Sequence, residues 1–251
     1  MATTPRFSVK RKVDYPTSDG KPMAETDVHR QDMVDLIETL QDRYQDDPNT
    51  YVTGNLLLFY EEGNRRKHIS PDVFLVRGVP KIPPRDNYLL WEEGKGPDVV
   101  IELTSRTTRK EDREKKFEIY RDLLKVREYF LFDPSANWLI PPLQGYRLAG
   151  ADYTPIKMVR AHFLPSEILG LWLVRDRFEL RLYDPSSGDK LLTRQERLEE
   201  SEAERRQEEK ARRKSELTLE LMEAREQLSR AEIERLRLEN EELRKRLSGT
   251  Q

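Results

Sequence analysis

The sequence predicts an α+β domain followed by a long, separate helix, and three observations carry that prediction. Strand-like runs and helix-like stripes interleave through residues 1–190. One strand, helix, strand succession has the order of a parallel crossover. From residue 191 the composition changes to helix formers almost alone.

The elements follow in order. In "ETDVHRQDMVDLIETLQDRY", Val28, Leu36, Ile37 and Leu40 recur at roughly helical spacing, which predicts a first helix. "YVTGNLLLFYEE" (51–62) and "HISPDVFLVRG" (68–78) read as two strands split at Gly63-Asn64, and Pro80, Pro83 and Pro84 mark the link that follows. "PDVVIELTS" (97–105) is a third strand. Its period of two puts Asp98, Val100, Glu102 and Thr104 on one face and Val99, Ile101 and Leu103 on the other. "KEDREKKFEIYRDLLK" carries Phe117, Tyr120, Leu123 and Leu124 on one helical stripe, and "REYFLFDP" reads as a buried strand closed by Asp133-Pro134. "LGLWLVRDRFELRLYDPSSGDKLL" completes the domain with hairpin-like strands turned at Asp176 and at 186–189.

The tail, 191–251, has no Pro, no aromatic residue and no Gly before Gly249. Leu217, Leu221, Ala224, Leu228 and Ala231 keep the four-three spacing of a coiled-coil seam, and Ile233, Leu236, Asn240, Leu243 and Leu247 resume it in a shifted phase. A polar Asn240 within a seam is the residue type that fixes register in two-stranded zippers. The expectation is a homodimer through residues 217–247. The stretch 199–214 reads instead as a solvated helix held by i,i+4 ion pairs.

Composition narrows the chemistry. Charged residues make up 37% of the chain, against roughly 25% in an ordinary globular protein, which fits the solvated tail. There is no cysteine, and His29, His68 and His162 are the three histidines, so a zinc site is not expected while an oxygen-ligated Mg²⁺ or Mn²⁺ site is compatible. The first thirty residues lack an apolar h-region and no stretch has the length of a membrane span, so the expectation is a cytoplasmic protein without a membrane partner. A net charge of −2 gives no global attraction to nucleic acid, so such a partner must be met by a local patch.

Glu102 is the residue that breaks the pattern, because a carboxylate in mid-strand costs several kcal/mol unless it is paired or coordinated. Asp72, at the head of the neighbouring strand, is placed to share a hard cation with it. Lys116, at the border of the apolar stripe and four residues before Tyr120, is placed to point back at the sheet.

Pro71-Asp72, then Glu102-Leu103-Thr104, then "EDREKKFEIYRDLLKVREYFLFDP" resemble the Uma-type restriction endonucleases of the PD-(D/E)XK nuclease superfamily over roughly residues 15–185. The resemblance implies a restriction-endonuclease-like mixed sheet flanked by helices. It implies that Asp72 and Glu102 hold Mg²⁺ (or Mn²⁺) and that a lysine orients or helps deprotonate the attacking water. The usual position of that lysine, two residues beyond the Glu, is Thr104 here, and the Lys-x-x-x-Tyr spacing transfers the role to Lys116 with Tyr120. Glu25 and His29 resemble polar helix-one positions, where an acid completes the metal shell. With Asp98, these make the expected site: Asp72, Glu102, Lys116 and Glu25 in catalysis, with His29, Asp98, Thr104 and Tyr120 around them. The expected function is Mg²⁺-dependent DNA cleavage by a coiled-coil dimer. The competing expectation is a nuclease fold without turnover, acting as a nucleic-acid-binding or scaffold protein through its coiled coil.

Overall fold

The computed structural model describes residues 15–18, 26–160 and 162–248. Two compact units emerge, one running through Arg194 and a second from Gln195.

In the first unit, helix α1 (Asp27–Arg43) is capped by Thr26, whose side chain accepts a hydrogen bond from the backbone of His29 at 3.2 Å. Its inner face buries Met33, Leu36 and Leu40 together with His29 and Asp32. Six strands form the central mixed sheet: β1 (Thr50–Thr53), β4 (Val73–Arg77), β6 (Val99–Leu103), β7 (Glu128–Phe132), β8 (Leu143–Ala149) and β9 (Asp152–Pro155), in that spatial order. Within this sheet, among the described residues, β6 and β7 pair in parallel, joined by the anticipated helical crossover, and the other neighbours are antiparallel.

Two small sheets flank this one. The first is formed by β2 (Leu58–Phe59), β3 (His68–Ile69) and β5 (Tyr88–Leu89), the last leading into the short helix α2 (Leu90–Glu93); the second by β10 (Leu164–Ser166), β11 (Leu171–Asp176) and β12 (Glu179–Tyr183). The strand expected over 51–62 is therefore two strands in different sheets, and the one over 68–78 divides at Pro71. The break after β1 has a steric cause: a Cβ on Gly54 would lie 1.9 Å from the Asp72 carbonyl oxygen, so only glycine permits that approach. Strands β8, β9 and β10 were not anticipated.

Both faces of the central sheet are covered, which explains the uninterrupted burial of β6 and β7. Val99, Ile101 and Leu103 join Leu36, Leu40, Leu171 and Leu182 in one core, while Val100 joins Tyr120, Tyr129 and Leu131 in another. The alternation read from the sequence holds, but its polar face is a second interior. Each large aliphatic side chain buried in this way is worth about 1.5–3 kcal/mol.

The crossover begins with α3 (Arg109–Glu111) and continues through two π-helical turns, Asp112–Lys116 and Ile119–Leu123. An α-helix was expected throughout. The wider π turns bring Asp112 and Tyr120 inward, both at or below 1% exposure. The second unit is formed by α4 (Arg194–Ser248) from Gln195 onward, and its seam residues Leu217, Leu221, Leu228, Ile233 and Leu236 are exposed in the single chain. The side chains of Leu243 and Leu247 lie outside the described residues.

Candidate active site

Strand register assembles the site. Val73 lies opposite Ile101, so Asp72, one step before β4, comes level with Glu102 near the end of β6. The backbone N–H of Leu103 donates to Asp72 Oδ2 at 2.7 Å, and that of Asp72 points at Glu102 Oε2 at 3.4 Å. From α1, His29 Nε2 reaches to 3.7 Å of Asp72 Oδ2.

The crossover supplies the covering groups. Lys116 Nζ lies 2.8 Å from Glu102 Oε2 and 3.1 Å from Asp112 Oδ1, and the Tyr120 hydroxyl donates to Glu102 Oε1 at 2.5 Å. The adjacent Lys115 turns outward and pairs with Glu111 at 3.1 Å. Thus Asp72, Glu102, Lys116, Tyr120 and His29 converge. Thr104 ends the same face of β6, buried, its Oγ1 without a hydrogen-bond partner among the described residues.

Asp98 does not belong to this group. Four residues before Glu102, just ahead of β6 and about 13 Å away at strand rise, it accepts from the Arg77 backbone at 2.7 Å and pairs with Lys95 at 2.8 Å. The shared face was read correctly, but a strand face runs further than a site. Glu25 lies outside the described residues. Two acids were missed. Asp112 is buried against Lys116, and Asp32, one helical turn after His29, is buried with its Oδ2 lacking a hydrogen-bond partner among the described residues. The i,i+4 spacing of Asp112 and Lys116 was visible in the sequence, whereas nothing local marked Asp32 as buried.

Electrostatics divide the carboxylates. Burial raises Glu102 well above the ordinary range, and the charges of Asp72 and Asp112 add to that effect against the opposing pull of Lys116. Burial also acts on Asp72, but the nearby His29 ring, the Lys116 charge and the Leu103 N–H outweigh it, and its pKa falls. Asp72 therefore holds the negative charge and Glu102 retains a proton more readily. Lys116 is buried too, yet Glu102, Asp112 and Asp72 raise its pKa, so it stays an ammonium.

A second buried acid in the same sheet provides the contrast. Glu128 on β7 accepts from Arg147 at 2.8 Å, from the hydroxyl of Ser166, and from the backbone of Glu167 and Ile168. Those donors saturate it, as expected of a structural carboxylate. Glu102 faces Asp72 and Asp112 across one lysine and is held in place by charge balance.

The Uma2 family, described as "Putative restriction endonuclease", matches residues 5–176, more than half of the chain. The chain belongs to this family. Among solved structures, a similar chain is "a putative nuclease belonging to DUF820" from Anabaena variabilis ATCC 29413, at 16% identity and a TM-score of 0.43, with 63% of this chain and 83% of that one covered. No curated protein matches. The Uma2 match ends before α4 and contains Asp72, Glu102, Lys116 and Tyr120.

The oxygen donors present fit a hard divalent cation. Asp72, Glu102 and Asp112 bring three carboxyl groups around one ammonium, and the upward push on the Glu102 pKa is one that a bound cation would reverse. Among the described residues no group of three or more His, Asp or Glu side chains forms a complete ligand set.

Proposed function

We propose that this Uma2 protein hydrolyses phosphodiester bonds of DNA with Mg²⁺ or Mn²⁺ held by Asp72 and Glu102. The reading is carried by the charge arrangement: Asp72 at the head of β4 and Glu102 near the end of β6 stand level, and Lys116, brought in from the crossover, pairs with Glu102 and with Asp112. Such a cation, when bound, lowers the pKa of a water and offsets charge developing on the phosphate.

The chain's own groups perform the rest. Asp72 is kept ionised and fixed in direction by the Leu103 N–H and His29. The Tyr120 hydroxyl fixes Glu102 Oε1, leaving Oε2 toward Lys116. Because the Lys116 pKa is raised, its ammonium acts as a preorganised positive charge for a phosphate oxygen and does not take the proton of the attacking water. It supplies from the crossover the charge that Thr104 lacks on the strand. The exposed apolar seam of α4 is assigned to a parallel coiled coil that joins two chains, so that two sites act on two strands.

The test is nicking of supercoiled plasmid by the full chain with Mg²⁺, with Mn²⁺ and with EDTA. Nicking that needs the cation and disappears in Asp72→Asn and Glu102→Gln is expected. Cation-independent nicking, or none in either metal, overturns the reading.

A further inference from the structure

The carboxyl ends of β6 and β7 carry a feature that the catalytic reading leaves unused. The two parallel strands are tied at this end by the Thr104 N–H, which donates to the Phe132 carbonyl at 2.6 Å. From β6 emerges the loop carrying Arg106, which leads into α3 with Arg109 and Lys110, all in sequence between Glu102 and Asp112. From β7 emerges the loop 133–142. Ligand sites in open sheets gather outside such carboxyl ends.

The loop from β7 is rigidly built. The Asp133 carboxylate accepts from the backbone of Ser135 at 3.0 Å, Trp138 at 2.5 Å and Leu139 at 3.0 Å, and from the Ser135 hydroxyl at 2.7 Å. Leu139 is buried at 1% exposure as an anchor, while the next residue, Ile140, is 95% exposed. The half-buried Trp138 carries the guanidinium of Arg109 4.9 Å from its ring centre and that of Arg106 at 5.9 Å. Cation–π contact at this range holds a guanidinium without neutralising it. Among the described residues no carboxylate lies within ion-pair distance of Arg106, Arg109 or Lys110. The loop from β6 is ordered as well, by Ser105 and Thr108, whose hydroxyls and backbone exchange bonds of 3.0–3.3 Å.

A single exposed isoleucine is ordinary. An exposed isoleucine two residues beyond the tryptophan that carries two guanidiniums, in a loop that leaves the strand ends holding the acids, has a specific complement. Guanidiniums match phosphates, and an aliphatic wedge matches a base step that opens toward the minor groove. We infer that Arg106 and Arg109, seated on Trp138, grip the backbone of duplex DNA while Ile140 inserts at a neighbouring base step and unstacks it. This surface rests on the nuclease reading above and defines its substrate further: a duplex that can be kinked beside the scissile phosphate.

The test measures binding of the full chain in EDTA, so that no cleavage intervenes, to a short DNA duplex carrying 2-aminopurine, with nicking followed separately. Arg106→Ala/Arg109→Ala is expected to lower the slope of log affinity against log salt by about 0.9 for each phosphate that the variant no longer neutralises. Ile140→Ser is expected to keep that slope and abolish the rise in 2-aminopurine fluorescence on binding. All three substituted side chains are exposed, and thermal melting of the variants should match the parent. An unchanged slope in the double variant, or a persistent fluorescence rise in Ile140→Ser, overturns the surface while leaving cation-dependent nicking, and with it the nuclease reading, intact. A parent that neither binds nor nicks DNA overturns both. An RNA duplex of the same sequence bound as tightly as the DNA overturns the choice of DNA, because the A-form groove geometry differs.

Discussion

At the scale of single residues, Lys116 and Asp32 give the sharpest expectations. Lys116 touches both Glu102 and Asp112, so Lys116→Met should slow nicking by about 10²-fold, the cost of one preorganised electrostatic donor. Lys115→Met, which removes only an exposed pair with Glu111, should leave the rate near that of the parent. Thr104 stands two residues beyond Glu102 on the same strand face, its hydroxyl without a hydrogen-bond partner among the described residues. Thr104→Lys in the Lys116→Met background should recover part of the lost rate, and a background that stays dead although folded by circular dichroism would show that the two positions serve different points. Asp32 makes a stability prediction. Burial, followed by repulsion from Glu179 and Asp35, pushes its pKa up from 3.8 to about 7, against the attraction of His29 and Arg181. A raised carboxyl pKa means that folding favours the protonated form. Its contribution is complete below the unfolded value and is lost as pH rises through about 7. Asp32→Asn, neutral at every pH, should therefore melt higher than the parent above pH 7, with the difference shrinking on acidification toward pH 4. A pH-independent difference between the two melting curves would place the Asp32 charge in water.

At the scale of elements, the meeting of β1 with the head of β4 controls where Asp72 stands. Gly54→Ala would drive a methyl group into the Asp72 carbonyl, and the Ile37 side chain 2.7 Å away leaves little room to yield. Overpacking of this kind costs about 1–3 kcal/mol, and the shift of Asp72 should reduce nicking further than that loss of stability explains. Denaturant melts read beside rates at a temperature where the variant is fully folded would separate the two effects. The same junction shows what was legible in the sequence. Periodicity placed Val99, Ile101 and Leu103 opposite Glu102, because alternation is a local property of one strand. It could not show that the polar face is roofed by the crossover, since burial of Val100 and Glu102 depends on Tyr120 and Lys116 arriving from the next element. The apolar run 51–62 looked continuous because the approach of Asp72 to Gly54 is a tertiary contact with no local mark beyond the glycine itself. Asp98 misled for the complementary reason: it shares the face of Glu102 and even its burial, but its partners Lys95 and Arg77 belong to the other end of the strand. The π turns of the crossover, which seat Asp112, were equally invisible in a stripe that satisfied an ordinary helical period.

At the scale of the whole molecule, the two units make separate demands on stability. The first closes on its own residues up to the start of α4: Leu191 packs against the core and donates its N–H to Leu182 at 2.8 Å, Thr193 is buried, and Arg194 reaches Asp42 and Glu38 at 2.8 Å. A chain cut after residue 194 should therefore fold cooperatively, whereas a cut after 190 removes this closure and should lower the melting temperature. Leu217, Leu221, Leu228 and Leu236 are between 46% and 74% exposed, the row that a second copy would cover in the proposed coiled coil. Sedimentation of the full chain should give a dimer and that of the 1–194 chain a monomer; a dimeric short chain would move the interface to the globular unit. Asn240 sets the finer expectation. Its amide donates to the Leu236 carbonyl of its own helix at 3.3 Å, a long bond that leaves the side chain available to a partner asparagine. Asn240→Leu should keep association strong while admitting trimers or tetramers, because a buried polar residue in a seam specifies the number of strands at a cost in stability. A variant that remains strictly dimeric at every concentration would place Asn240 on the solvent side and the seam along another face of the helix.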